Sequence, residues 1–207
     1  MASALALVAL SESIHNKAEA CAPAKPKVIV DYPTASMIKA TRLALEDQEG
    51  PLQFYSDGSL RTKKGGRHSC AFSSVYLSKK KEEFYDYAVV GTTASHHTIQ
   101  NAELVGLLGS IMACPRNRIA VVHTDNLQNA LDFSTAMANK GIPSRKRPQR
   151  RTPSPWWKLI YVAYVQQGQR ITVKWVKGHS GIKGNEVADR MAFFAHTADY
   201  APWRIAA

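Results

Sequence analysis

The sequence predicts an α/β fold built on a five-stranded mixed sheet, three antiparallel strands followed by two parallel ones, with helices on both faces. Two observations carry that prediction. A short apolar stretch at 52–56 and two rich in β-branched and aromatic residues, at 69–77 and 84–91, are separated by turn-prone KKGG and SKKKEE segments, as in an antiparallel meander. After them strands alternate with helices, which makes the later strands run parallel under a helical cover. A composition of 45% hydrophobic and 21% charged residues in 207 suits one globular domain with a short appendage.

Taken in order, residues 1–50 form an N-terminal extension, either the tail of an upstream domain or a private addition. Its opening ASALALVAL has no basic residue before it and reads as the start of a helix over 2–20, not as a signal peptide. A second helix is expected at 36–47, broken by Glu49-Gly50-Pro51. Within 98–113 the residues Ala102, Val105, Leu108 and Met112 share one helical stripe, and Cys114-Pro115 ends the helix. RIAVVH (118–123) is a buried-type strand, and 127–139 a helix. The segment KGIPSRKRPQRRTPSP (140–155) has six basic residues, four prolines and no acid, and is expected to be an extended basic loop. A helix at 156–167, an alternating strand at 171–176 and a helix at 186–197 complete the series, leaving 199–207 as a tail.

No apolar run approaches the roughly 20 residues needed to cross a bilayer, so no membrane association is expected. Cys21, Cys70 and Cys114 are odd in number and match no zinc or redox spacing. They read as small buried hydrophobes of an intracellular, reducing compartment, cytoplasm or nucleus, and not of a secreted protein. The net charge is +11, and the excess lies beyond residue 50, where 22 basic residues face 10 acidic ones. A basic body of this kind points to a polyanionic partner, nucleic acid foremost.

Against that background four acids stand out. Asp57 closes the apolar stretch FYSD, and Asp125 closes VVHTD, although aspartate is a poor strand former and costly to bury alone. Glu103 is the sole acid on its helix, and Asp189 follows the glycine-rich GHSGIKGNEVAD (178–189). In that segment Gly178, Gly181 and Gly184 suggest a mobile loop, and Asn185 a helix cap that places Glu186 and Asp189 at the start of a helix. Carboxylates brought together repel and raise one another's pKa values. Hard divalent cations relieve this, and a pair of them about 4 Å apart is a device for phosphodiester hydrolysis.

FYSDGS (54–59), TIQNAEL (98–104), HTDN (123–126) and VKGHSGIKGNEVAD (176–189), spaced in this order, resemble the type 1 ribonuclease H family, with the wording of the last closest to retrotransposon and fungal members. The resemblance covers about residues 51–198 and implies an RNase H-like catalytic domain there. It implies a nuclease that cuts the RNA strand of RNA–DNA hybrids using two Mg²⁺ ions, with Mn²⁺ as a substitute. Asp57, Glu103, Asp125 and Asp189 match the metal-binding carboxylates, Asp57 shared by both ions, and His179 matches a mobile-loop histidine of proton transfer or product release. Gly58, Ser59, Thr98, Gln100, Asn126, Asn185 and Glu186 fall at positions expected to touch substrate. Ile99 stands where some cellular members have Asn.

Two departures are visible. No hybrid-binding module is recognisable in residues 1–50, and the usual basic helical protrusion is missing. The 140–155 loop, with Arg147 on phosphates and Trp156 packing on sugar or base, is expected to stand in for it. The chain is expected to act as a monomer, as a free enzyme or as the RNase H part of a reverse-transcriptase polyprotein. The competing readings are another nuclease of the same fold and a non-catalytic nucleic-acid-binding module; the intact carboxylate set argues against the latter.

Overall fold

In the computed structural model the chain runs through β1 (Lys27–Ile29), α1 (Tyr32–Ala44), β2 (Leu52–Thr62), β3 (His68–Tyr76), β4 (Tyr87–Thr93), α2 (Ile99–Ala113), β5 (Ala120–Thr124), α3 (Leu127–Ala138), α4 (Trp156–Gln166), β6 (Ile171–Trp175), α5 (Lys183–Ala195) and β7 (Arg204–Ala206). The structure describes residues 27–29, 32–62, 68–77, 87–93, 98–143, 154–197 and 204–206. The helix expected at 2–20, Cys21, the start of the third strand and most of the basic 140–155 loop, Arg147 included, lie outside the described residues.

The main sheet has the order β4-β3-β2-β5-β6. β4, β3 and β2 are antiparallel, whereas β2, β5 and β6 are parallel, so the expected five-stranded mixed sheet is the observed one. A second, two-stranded sheet pairs β1 with β7 antiparallel, Val28 opposite Ile205. Strands of three residues are too short to show a period in sequence, and the tail 199–207 gave no sign of this one.

β2 runs to Thr62, well past the expected end at residue 56. Its parallel pairing with β5 stops at Ser56–Thr124, but its antiparallel pairing with β3 continues to Thr62–His68. Asp57 therefore lies in the middle of a strand, at the point where the parallel neighbour gives out. Gly58 is tolerated there because α2 lies directly over it. A Cβ at residue 58 would stand 2.3 Å from the backbone nitrogen of Glu103.

The hydroxyl of Thr98 caps α2 by accepting from the Asn101 N–H at 3.2 Å. The helix is buried on nearly all sides, not along one stripe, because it packs on β2 and β3 and also against α1 and α4. Ile38 and Leu45 from the first 50 residues join the same core as Phe54, Leu104, Val122 and Trp156. α4 turns Trp156, Trp157, Ile160 and Ala163 inward. Trp156, expected to pack on substrate, is 0% exposed, so that expectation is corrected: its ring fills the core under α4.

α5 also begins earlier than expected. Ile182 is the N-cap and forms no side-chain capping bond, so Asn185 lies inside the first turn and is not the cap. Gly184 lies in the first turn of α5, where the Tyr55 ring fills the space a side chain would need; a Cβ there would meet the ring at 2.3 Å.

Candidate active site

β2, α2 and the end of β5 bring Asp57, Glu103 and Asp125 together. Each of these carboxylates offers an oxygen, and the three oxygens lie within 4.8 Å of one another. Asp57 and Glu103 are both buried at 5% exposure, and Asp125 is half-buried. Burial pushes the Asp57 carboxyl up to about 8, helped by the charges of Asp125 and Asp189 and opposed by a hydrogen bond from the Gly58 N–H. Burial raises Glu103 well above the ordinary range, with Asp57 and Asp125 adding to it and the Gly58 N–H opposing. Gly58 thus serves the site through its backbone and its lack of a side chain; buried beneath α2, it is not the substrate contact expected of it.

The Oε2 of Glu103 is buried and has no hydrogen-bond partner among the described residues. A buried carboxylate oxygen left bare costs free energy that a donor or a cation would recover. Three carboxylates at this separation, all hard oxygen donors, fit a hard divalent cation.

Asp125 is held from several directions. The indole Nε1–H of Trp175 donates to its backbone carbonyl at 3.0 Å, and the Asn185 amide donates to its Oδ2 at 3.3 Å. Gly178 passes so close that a Cβ would stand 2.7 Å from the same oxygen. The loop carrying His179 therefore rests against the cluster. His179 has φ 50°, in the left-handed region, and its Nδ1 lies 3.9 Å from the Asp189 Oδ2. Both side chains reach solvent, His179 at 79% and Asp189 at 42%. Asp189 stands at the rim, close enough for its charge to raise Asp57. The Oε1 of Glu186 accepts from the Gly181 N–H at 3.3 Å, tying the loop to the first turn of α5.

The remaining expected contacts are scattered around this rim. Ser59 is half-buried in β2, and Thr98 and Gln100 are exposed at the start of α2. The Gln100 amide donates to the Asn129 Oδ1 at 3.0 Å, and Asn126 caps α3 by accepting from the Asn129 N–H. Asn185 is 1% exposed and engaged with Asp125, so it is a support for the cluster and not an open contact for substrate.

Sequence reasoning missed a supporting layer. The rings of Tyr55 and His123 stack at 4.7 Å, and the His123 Nε2 shares a 2.9 Å hydrogen bond with the Gln53 Oε1. Burial, then the charge of Lys174, lowers the His123 pKa. Tyr55 and His123 stand two residues before Asp57 and Asp125 on adjacent strands, so the stack fixes the strands that carry both acids. The signal in the sequence was faint: an aromatic and a histidine at matching distances before the two acids.

The mixed sheet thus carries, at the end of its parallel pair, an acidic cluster that could hold a metal ion. The sequence profile of RNase H matches residues 49–196, and the chain belongs to that family, a ribonuclease H by class. Similar solved structures include the RNase H domain of prototype foamy virus in solution, at 20% identity and TM-score 0.56, covering 70% of this chain and 95% of that one. A foamy viral protease–reverse transcriptase in complex with an RNA/DNA hybrid matches at 18% identity and TM-score 0.55, over 88% of this chain but 23% of that longer one. LC11-RNase H1 in complex with an RNA/DNA hybrid matches at 10% identity and TM-score 0.50, over 70% of this chain and 99% of that one. No curated sequence matches closely enough to count as a relative. No helix among the described residues is long and apolar enough to cross a membrane.

Proposed function

We propose that this ribonuclease H hydrolyses the RNA strand of RNA–DNA hybrids with two Mg²⁺ ions, Mn²⁺ being an effective substitute. The observation that carries the reading is the packed trio Asp57, Glu103 and Asp125, with a bare buried oxygen on Glu103, inside a chain of net charge +11. These three carboxylates, joined by Asp189 at the rim, would hold the ions. When bound, the ions supply Lewis-acid activation of water and neutralise charge building on the phosphate. The chain's own residues do the rest. The basic body holds the polyanion, the buried floor keeps the carboxylates in place, and His179, exposed on its loop, carries a proton at the edge of the reaction.

We also infer that the chain is the RNase H domain of a reverse-transcribing element, a reading supported by its likeness to the foamy viral domain and by the wording of its GHSGIKGNEVAD segment. Cys70 and Cys114, free and buried, suit a reducing compartment. The test is cleavage of an end-labelled RNA–DNA hybrid, duplex RNA, duplex DNA and single-stranded RNA, with Mg²⁺ and with EDTA. Cutting confined to the hybrid's RNA strand and abolished by EDTA is the expected result; metal-independent cutting, or equal cutting of duplex RNA, sinks the reading.

A further inference from the structure

We propose that Trp175 is a substrate contact, its indole packing on a sugar of the bound hybrid at the rim of the carboxylate cluster. The inference rests on the hybrid reading above and adds a residue to it. β6 is an edge strand of the main sheet, and Ile171, Val173 and Trp175 alternate onto one of its faces. Ile171 at the far end of that row is 3% exposed and belongs to the core. Trp175, a larger apolar group on the same face, is 47% exposed. Large apolar side chains are exposed elsewhere on the chain, Phe193 and Phe194 among them, so exposure alone does not say what covers this one.

Its position supplies the answer. The indole Nε1–H is used on the Asp125 backbone carbonyl at 3.0 Å, and the next residue, Val176, donates its N–H to the Thr124 carbonyl at 2.9 Å. The ring is therefore fixed next to a carboxylate of the cluster. Exposed Lys177 stands two residues beyond it, whereas Lys174 alternates onto the opposite face beside His123, and from Ile171 to Asn185 the chain carries no acid. A cation that meets a phosphate beside an aromatic face is the chemistry of a nucleic-acid groove, where sugars present the apolar surface. In a paired hybrid the bases are stacked on one another, so the accessible partner for the ring is a ribose or deoxyribose. Trp156, the aromatic expected in this role, is buried, and Trp175 takes its place.

The test uses the full chain carrying Asp57→Asn, so that bound hybrid is not cut, and measures affinity by fluorescence anisotropy for Trp175, Trp175→Phe and Trp175→Ala. Trp175→Ala is expected to weaken binding about tenfold, the effect of uncovering roughly 50 Å² of apolar ring. Trp175→Phe, which keeps a ring and loses the N–H, is expected to stay within about threefold of the parent, and the salt dependence of binding is expected to be unchanged because no phosphate contact is lost. A purely structural role through the N–H predicts equal losses in Phe and Ala and overturns the proposal. If Trp175→Ala fails to fold, the parent labelled with 5-fluorotryptophan decides: of its four tryptophan resonances, the one missing in Trp175→Phe is expected to shift on titration with hybrid, and a resonance that stays put overturns the proposal. A parent that does not bind hybrid at all brings down the proposed function and this contact together; a parent that binds, with Trp175→Ala equal to it, brings down this contact alone.

Discussion

The Asn185 amide donates to the Asp125 carboxylate across 3.3 Å from a side chain that is 1% exposed. Asn185 belongs to α5, which also carries Asp189, whereas Asp125 follows β5, so this one bond joins the rim of the site to its floor.

Removing the bond tests what it does. Asn185→Ala removes this donor from the Asp125 carboxylate, and the Mg²⁺ concentration for half-maximal cleavage is expected to rise about 10- to 100-fold, the usual cost of losing a group that orients a metal ligand. Cleavage measured across a Mg²⁺ titration checks it. An unchanged midpoint means that Gly178 and the backbone hold Asp125 unaided.

Gly58→Ala is expected to destabilise the fold by about 1–3 kcal/mol, as overpacking does. The new Cβ would meet the backbone of Ala102 and Glu103 at 2.7 and 2.3 Å, so α2 must lift from β2 and carry Glu103 away from the cluster. Gly109→Ala, on the same helix, meets nothing closer than 3.6 Å and is expected to be neutral or to stabilise, because alanine is the better helix former. Thermal melts of the two variants side by side decide it; equal melting temperatures contradict the close approach.

The strand and helix order was legible because hydrophobic period and turn residues report local structure; Asp57, Glu103 and Asp125 stood out as lone acids of apolar strands or a helix, and Asp189 by the glycine-rich segment before it. What escaped the sequence depends on contacts between distant segments. Gly184 looks like a loop residue until the Tyr55 ring is placed against it, and Asn185 looks like a cap until α5 is seen to begin at Lys183. Nothing local separates Trp156 from Trp175 either: the first is followed by a helix that rolls it into the core, the second ends an edge strand where the cover stops.

The raised carboxyls give a pH dependence to the metal-free protein. Folded Asp57 keeps its proton up to about 8, whereas the unfolded chain releases it near 3.8. Between those values the folded state binds more protons, so its stability falls as pH rises. The contribution is fully present below 3.8 and lost as pH passes through 8, and Glu103 acts in the same direction. In EDTA the melting temperature is expected to drop between about pH 5 and 9. Asp57→Asn is expected to flatten that drop, and added Mg²⁺ to oppose it. A slope identical in the parent and Asp57→Asn removes Asp57 as its source.

His179 and Asp189 lie 3.9 Å apart at the solvent edge, and their variants are expected to fail in different ways. His179 stands on a loop between Gly178 and Gly181, exposed and with only the half-open Asp189 near its ring among the described residues, so it is placed to approach a scissile phosphate and withdraw. His179→Ala is expected to lower turnover by about 10²-fold, the lower end for a lost acid–base group, with hybrid affinity nearly unchanged. Added Mg²⁺ is not expected to restore it, because no metal ligand is gone. Asp189 contributes charge to the cluster, as its effect on Asp57 records. Asp189→Asn weakens an ion site without removing a proton carrier, so its defect is expected to be greatest at low Mg²⁺ and to shrink as the ion is raised. Both variants are measured over the same Mg²⁺ series at fixed pH. Rescue of His179→Ala by metal, with Asp189→Asn left unrescued, means that the two roles are reversed.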